Sequence, residues 1–301
     1  MADRKDGVMK IGLIDVDGHN FPNLALMKIS AYHKAKGDQV EWAIPMLKYD
    51  IIYQSKVFDF SPDENTCIDC ENLIRGGSGY DLDNKLPSEI ETAYPDYSLC
   101  GEKKAYGFLT RGCPRGCPFC IVGKKEGLQS KQVADLRQFW NGQKEIKLCD
   151  PNTLACCNRL EILQQLVDSK AWVDFTQGLD IRFMTDEVID KMKQIKLKML
   201  HFAWDRDNQS DLIIHNLKAF KNATNIDYRQ AKVYVLTNYE TDFEFDLYRV
   251  YKLKELGYDP YIMIYDKAKA PKKIRYLQRW VNNKIIFRTC ERFEEYKPEL
   301  G

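Results

Sequence analysis

The 301-residue chain has no apolar run of about 18 residues, so its sequence predicts no membrane span. Its first residues, MADRKDGVMK, have neither an apolar core nor a small-residue cleavage site, and we therefore expect no secretory signal. There is no low-complexity segment, and a formal net charge of +1 neither predicts nor excludes an anionic partner. An apolar share of 44% and a charged share of 30% are ordinary for a soluble globular protein.

Cysteine, in contrast, is plentiful, with ten along the chain. Since we expect no secretory signal, we expect a cytoplasmic location, where clustered thiols indicate metal ligands or redox groups. Three of them, Cys113, Cys117 and Cys120, lie in the segment RGCPRGCPFC at residues 111–120. Two prolines forbid a helix in this segment, and two glycines allow unusual backbone angles, so the segment is predicted to be a loop that gathers the three sulfurs.

Three thiolates on one loop indicate a soft metal centre. Thiolates select zinc, copper(I) or iron–sulfur clusters, and a structural zinc site needs a fourth ligand. Residues 121–148 contain no His or Cys that would complete a compact zinc motif. A cubane cluster held by three thiolates keeps one iron open for a small molecule. A zinc knuckle and ordinary structural thiols remain the alternatives at this point.

The order of strand and helix patterns predicts two domains. The run KIGLIDVDGHN reads as a strand, Leu24, Met27 and Ala31 have helical spacing before Gly37, and QVEWAI and IIYQSKVF read as strands. A β-α-β opening predicts a parallel sheet. The following segment, up to Pro95, is rich in turn residues. We therefore expect a small α/β domain with a parallel sheet over residues 1–95 and a second domain over residues 96–301.

The second domain is predicted to be a partial (β/α)6 TIM barrel with a C-terminal helix and tail. Helical patterns, such as Val133, Leu136 and Trp140, alternate with its strand-like runs. The six runs are AYGFLT, EIKLCD, WVDFT, KMLHFA, KVYVLT and PYIMIY. In such barrels the chemistry lies at the C-terminal ends of the strands, so the polar residues after each run are the candidate site.

The cysteine triplet follows the first of these strands, and Phe119 precedes its last cysteine. Over roughly residues 97–266 this pattern resembles the radical S-adenosylmethionine (SAM) superfamily. The resemblance implies a [4Fe–4S] cluster on the three cysteines, SAM on the open iron and Phe119 against the adenine. It further implies that an electron donor such as flavodoxin or ferredoxin drives reductive cleavage of SAM to a 5′-deoxyadenosyl radical, which abstracts hydrogen from a substrate.

The same resemblance implies two sets of SAM contacts with alternatives that stay open. Asp150 matches an acid near the SAM amino group, and Asn152 would supply a second acceptor; the alternative is a helix N-cap. Arg182 would pair with the SAM carboxylate through its bidentate fork, and the alternative is a salt bridge to Asp180 or Asp205.

Four further residues belong to the predicted SAM site. Asp205 stands where relatives carry an acid that accepts from the ribose hydroxyls. Gln177 and Asp180 are polar groups at the end of the third strand. Asn238 occupies a place where relatives carry Gly or Pro beside the adenine.

The first domain also resembles the cobalamin-binding domain that precedes many radical SAM barrels, and this resemblance implies a doubly wound, flavodoxin-like fold for residues 1–95. The segment Asp17-Gly18-His19 matches the start of its cobalt-ligating loop, but Pro22 replaces the glycine and the domain is short. We therefore expect no cobalamin. The Cys67 and Cys70 pair offers too few thiols for a second cluster, so we expect two ordinary cysteines.

A basic segment bears on the substrate. Residues 267–288 contain eight Lys or Arg and no Asp or Glu, with Tyr276 and Trp280 among them. This pattern fits nucleic-acid binding, or an amphipathic helix with Ile274, Leu277 and Val281 on its apolar side, and we favour the helix. The predicted activity is therefore that of a radical SAM enzyme on a small molecule or peptide. The alternatives are a nucleic-acid-modifying enzyme and a non-enzymatic zinc- or cluster-binding interaction module.

Overall fold

The computed structural model describes residues 7–18, 21–63 and 69–300. The chain divides into two compact units, the first made of Met1–Gly107 with Leu136–Gln143 and the second of Phe108–Asp135 with Lys144–Gly301. Both units combine helices with parallel sheet, so the predicted mixed α/β class is confirmed. The predicted domain limits, residues 1–95 and 96–301, stay a prediction.

The first unit has a four-stranded parallel sheet in the order β2-β1-β3-β4. Helix α1 begins after Asn23, whose side chain accepts from the Leu26 amide at 3.2 Å, and it ends before Gly37, as predicted. Its elements are β1 (Lys10–Asp15), α1 (Leu24–Ala35), β2 (Gln39–Trp42), β3 (Lys48–Ser55), β4 (Asp69–Gly76), α2 (Ser88–Glu91) and β5 (Ala105–Gly107).

Strand β4 corrects the sequence analysis, which predicted only turns between β3 and Pro95. This strand lies at the edge of the sheet, and most of its side chains are exposed. An edge strand without a buried face has no apolar alternation, so the sequence carried no signal for it. The flavodoxin-like, doubly wound arrangement stays a prediction, because among the described residues of this unit only α1 is a long helix.

The second unit contains five parallel strands, β8 to β12, and each pairs with the next one along the chain. The partial barrel stays a prediction. The elements are β6 (Thr110–Arg111), α3 (Val122–Glu126), β7 (Lys131–Gln132), β8 (Glu145–Leu148), α4 (Arg159–Ser169), β9 (Trp172–Phe175), α5 (Asp186–Met192), β10 (Lys196–Ala203), α6 (Ser210–Thr224), β11 (Ala231–Thr237), α7 (Phe243–Glu255), β12 (Asp259–Ile264), α8 (Lys272–Asn282) and α9 (Lys284–Thr289).

Two local predictions before β8 are wrong. The run AYGFLT is not one strand: β5 ends at Gly107, and β6 pairs antiparallel with β7. The amides of Leu109 and Thr110 donate to the Asp150 carboxylate, so a side chain takes the place of a strand partner there. The predicted helix around Leu136 is a single 3₁₀ turn, Leu136–Gln138.

The two faces of the β8–β12 sheet differ in chemistry. One face is fully buried and apolar, and it carries Ile146, Val173, Phe202, Val233 and Ile262. The alternate positions of the same strands remain partly exposed and are mostly polar. This polar face includes Lys147, Asp174, His201, Lys232, Tyr234 and Tyr261. Because alternate residues of a strand point to opposite faces, the period of two separates these two sets.

Helix α8 is amphipathic, as the favoured interpretation of the basic segment predicted. Its buried residues are Ile274, Leu277, Trp280 and Val281. Some of the cations are held by the protein itself, since Arg275 donates to the carbonyls of Ala268 and Ala270, and Lys284 lies 2.7 Å from the Asp259 carboxylate. Within the described ranges, no helix is both long and apolar enough to cross a membrane.

Candidate cofactor site at the cysteine loop

The backbone of the cysteine loop is fixed at its start. Gly112 has a φ of 84°, and a Cβ there would lie 2.2 Å from the carbonyl oxygen of Gln129, so only glycine fits. The Gly112 amide donates to Glu126 at 3.0 Å, and the Cys113 amide donates to the Gly127 carbonyl at 3.1 Å. Helix α3 therefore closes the loop back on itself, which orients the first thiol.

The three thiols of the loop are all partly exposed. Burial raises the pKa of Cys117, Arg115 opposes this, and Asp205, Cys120 and Cys113 add to it. In residues 7–18, 21–63 and 69–300, no group of three or more His, Cys, Asp or Glu side chains is placed to hold a single metal ion.

Asp150 is buried and accepts four hydrogen bonds. The donors are the Leu109 amide at 2.8 Å, the Thr110 amide at 2.8 Å and hydroxyl at 2.7 Å, and the Thr153 hydroxyl at 3.1 Å. Burial raises the pKa of Asp150 to about 6, and these hydrogen bonds act against it. The carboxylate thus anchors the segment that leads into the cysteine loop, a role that the sequence analysis missed. Its contact with a SAM amino group stays a prediction.

Asn152 is buried beside the first thiol of the loop. Its Nδ2 lies 3.5 Å from the Cys113 Sγ, and its Oδ1 has no hydrogen-bond partner among the described residues. The N-cap alternative is wrong for this residue: it precedes the 3₁₀ turn Thr153–Ala155, but its side chain makes no capping bond within the described part of the chain. Asn152 is therefore a buried amide with one donor at a cysteine and one unused acceptor.

Asp180 joins the cysteine loop to the segment after β9. It accepts from the Arg182 Nε at 2.6 Å, and its other oxygen lies 3.7 Å from the Nε of Arg115, inside the loop. Both arginines also donate to Gln209, Arg182 at 2.8 Å and Arg115 at 3.4 Å. The salt-bridge alternative for Arg182 is therefore present with Asp180. Gln177, predicted for the same site, is exposed.

Asp205 lies just after β10 and is partly buried. Burial raises its pKa, while Arg249 is the strongest influence in the opposite direction. Arg249 is fully buried and donates to the carbonyls of Trp204 at 2.5 Å and Leu236 at 2.8 Å, and it also pairs with Asp246. It thereby ties the ends of β10 and β11 together. No local sequence motif marks Arg249, because its role depends on which strand ends become neighbours.

Phe119 packs against an aromatic residue that follows β11, and this residue packs against another that follows β12. Its ring meets Tyr239 edge to face at 5.1 Å, and Tyr239 meets Tyr265 at 4.8 Å. Asn238 has a φ of 62°, and its Nδ2 donates to the Tyr265 carbonyl at 2.8 Å. The asparagine therefore holds the two strand ends together. The sequence analysis missed Tyr239 as the partner of Phe119 and Tyr265 as the partner of Tyr239.

The structure thus brings most of the predicted residues to one edge of the sheet. Cys113 and Asn152 are neighbours, and Asp205 acts electrostatically on Cys117. The sequence analysis did not predict Arg115 or Gln209 as site residues. The position of Arg115 between two cysteines could have indicated that it belongs to the site. His19 and Cys67 lie outside the described residues.

No family model matches the chain, and no curated protein matches it. Among solved structures, the chain is similar to Streptococcus suis SuiB bound to S-adenosylmethionine, at 11% sequence identity and a TM-score of 0.43. The similarity covers 69% of this chain and 53% of that chain, so this chain spans about half the length of that protein. A likeness of this size shows neither a family nor an activity.

Proposed function

We propose that this protein is a radical SAM enzyme, in which Cys113, Cys117 and Cys120 hold a [4Fe–4S] cluster. The observation that carries the proposal is the cysteine loop itself, whose glycine and backbone bonds fix its first thiol beside the buried amide of Asn152. A cubane takes one thiolate per iron, so its ligands need not converge on a single point as those of one zinc ion must. The donor set therefore fits this cluster.

When bound, the cluster and SAM together supply one-electron cleavage of SAM to a 5′-deoxyadenosyl radical, which removes hydrogen from a substrate. The proposed substrate is a small molecule or peptide, and the electron would come from a flavodoxin- or ferredoxin-like donor. The protein's own contribution is to bind and orient SAM and to keep water away from it.

The residues around the loop have chemistry that suits SAM. Phe119, backed by Tyr239, offers a ring to the adenine. Arg182 carries a guanidinium for a carboxylate, and Asp180 holds it through Nε. Asp205 offers a carboxylate for hydroxyl groups. Asn152 has its unused Oδ1 as an acceptor near the first thiol.

The test is anaerobic purification of the wild type and of a variant with all three loop cysteines changed to Ala. We expect about four irons per wild-type chain, with matching sulfide and release of 5′-deoxyadenosine from SAM. The triple variant should lose the iron, the sulfide and the release of 5′-deoxyadenosine. Cys157→Ala is the matched control, because this thiol is exposed and lies outside the loop.

Three results would contradict the proposal. One is full iron content in the triple variant, and another is equal loss of iron in the Cys157→Ala control. The third is a wild-type protein that carries zinc and no sulfide, which would support the zinc-binding interaction module instead.

A further inference from the structure

The polar face of the β8–β12 sheet contains a carboxylate with an unused oxygen. Oδ1 of Asp174 is buried and has no hydrogen-bond partner among the described residues. Its other oxygen lies 3.9 Å from the Nζ of Lys147, on the neighbouring strand. A buried acceptor without a donor is costly in a folded protein, so a donor supplied by a ligand would remove that cost.

His201 contributes a second acceptor on the same face. Its Nδ1 lies 2.7 Å from the carbonyl oxygen of Phe175, and because a carbonyl only accepts, Nδ1 carries the proton. Burial lowers the pKa of His201, so the ring is neutral at pH 7 and Nε2 is an acceptor. The Oδ1 of Asp174 and the Nε2 of His201 are thus two acceptors on neighbouring strands.

Aromatic and apolar side chains surround these acceptors. Tyr234 stacks on the His201 ring at 5.2 Å and meets Tyr261 edge to face at 5.8 Å. Trp172 and Met263 are each 48% exposed although they lie on strands of this sheet. Half-exposed aromatic surface with a few polar groups is the composition of small-molecule sites.

The charges around Asp174 disfavour an anionic ligand at this carboxylate. Two cations near Asp174 already lie close to carboxylates, since Lys147 is 3.9 Å from Asp174 and Lys198 pairs with Glu145. Lys232, a further cation of this face, pairs in register with His201 on the neighbouring strand. A phosphate would compete with these carboxylates and would leave the acceptors of Asp174 and His201 without donors. A neutral group with N–H or O–H donors meets both requirements.

We infer that the polar face binds a neutral molecule that presents N–H or O–H donors beside an aromatic or aliphatic body. Asp174 and His201 accept from its donors, and Tyr234 and Tyr261 contact its apolar part. That this molecule is the substrate of the enzyme rests on the proposed function; the binding itself does not. The inference favours an amide- or hydroxyl-bearing small molecule or peptide over a nucleic acid.

The test uses three probes with one common ring: benzamide, benzoate and phenyl phosphate. Dissociation constants are measured by NMR titration of the full chain without SAM. We expect benzamide to bind about tenfold more tightly than either anion, since only benzamide can donate to a buried carboxylate. Equal or tighter binding of the anions, or no saturable binding of benzamide, would overturn the inference.

The decisive variant is Asp174→Asn, because it should reverse the preference. The new amide cannot offer a charged acceptor, and Lys147 loses its carboxylate, so benzamide affinity should fall about tenfold while benzoate affinity rises. A misfolded variant would lose both. Asp168→Asn, on the exposed side of α4, is the matched control and should change neither affinity. Unchanged benzamide affinity in Asp174→Asn would also overturn the inference.

A last arm separates this inference from the proposed function. The variant without the three loop cysteines should still bind benzamide as the wild type does, since the polar face needs neither iron nor SAM. If the wild type holds no cluster but benzamide binding behaves as described, the proposed function fails and the binding site stands. If the cluster is present but benzamide binding is insensitive to Asp174→Asn, the proposed function stands and the binding site fails.

Discussion

Asp150 and Asp174 are two carboxylates of the second unit: the first is buried just after β8, and the second is partly buried in the neighbouring β9. Burial raises the pKa of both. Their surroundings differ in the donors they offer. Asp150 accepts from two backbone amides and two hydroxyls, whereas the Oδ1 of Asp174 has no hydrogen-bond partner among the described residues.

The difference shows how to separate a structural carboxylate from one that awaits a ligand. A pKa raised by burial marks both residues alike and cannot tell them apart. The count of donors can, because a saturated carboxylate stabilises the fold and an unsaturated one reduces its stability. On this criterion the Asp150 region anchors the cysteine loop, and the Asp174 region is open to a ligand.

The largest expected effect is on stability, from Asp150→Ala. This change leaves the buried amides of Leu109 and Thr110 without an acceptor, and each such group costs about 1–3 kcal/mol. We therefore expect the free energy of unfolding to fall by about 3 kcal/mol or more, measured by urea denaturation. Asp174→Ala should change it by at most about 1 kcal/mol, because no described hydrogen bond to Oδ1 is lost. Equal losses of unfolding free energy in both variants would show that the number of hydrogen-bond donors does not distinguish the two carboxylates.

A pH series should give the next largest effect. The pKa of Asp150 is about 6 in the folded state against 3.8 as the ordinary value, so the folded state binds the proton more tightly. The stability that this proton contributes is fully present below about pH 4 and is lost as pH rises through about 6. Relative to Asp150→Asn, the wild type should lose about 2 kcal/mol between pH 4 and pH 7.

The comparison variant for this pH series is Asp174→Asn. Because the pKa of Asp174 is also raised, its carboxyl group makes the free energy of unfolding fall as pH rises, and the variant should lose this pH dependence. Urea denaturation at each pH measures both slopes. A wild type that becomes more stable than Asp150→Asn as pH rises from 4 to 7 would show that the hydrogen bonds to Asp150 outweigh its burial.

Arg182 tests whether a group already engaged by the protein also serves SAM. Its Nε donates to Asp180 and its Nη1 to Gln209. In Arg182→Ala we expect SAM affinity to fall about tenfold, with normal iron content and at most about 1 kcal/mol lost from stability, since the side chain is partly exposed. Arg182→Lys should not restore affinity, because an ammonium cannot make a bidentate contact. Calorimetric titration with SAM measures this affinity. An unchanged affinity would mean that Arg182 forms its salt bridge with Asp180 and does not bind SAM.

Much of the fold was predictable because it depends on local patterns. The strands β8 to β12 were predicted from apolar runs between helical patterns, and α1 from its spacing and its terminal Gly37. Strand β4 was missed because an exposed edge strand has no apolar period. The predicted strand AYGFLT was wrong because Asp150, forty residues further along the chain, takes the amides of Leu109 and Thr110.

The candidate site was predictable where a motif marks it and not where neighbouring strands create it. The spacing of the cysteines indicated their shared loop, and Asp205 was found from its place after a strand. Arg249 and Gln209 carry no motif, since their partners are strand ends and side chains distant in sequence. The unused acceptor of Asp174 was also out of reach, because unsatisfied groups appear only when every neighbour is placed.

The smallest expected effect concerns Asn152, whose side chain has one donor in a contact and one acceptor without a partner among the described residues. Its Nδ2 lies 3.5 Å from the Cys113 Sγ, and its Oδ1 has no hydrogen-bond partner among the described residues. Under the proposed function, a donor at a ligating sulfur stabilises the reduced cluster, so Asn152→Leu should make the midpoint potential more negative by tens of millivolts while iron content stays normal. Asn158→Leu is the matched control, because Asn158 contacts the sulfur of Cys156, outside the loop. Anaerobic redox titration measures both variants. Equal potentials in wild type and Asn152→Leu would mean that this amide does not act on the cluster. The unused Oδ1 would then be the one remaining argument for placing Asn152 in the SAM site.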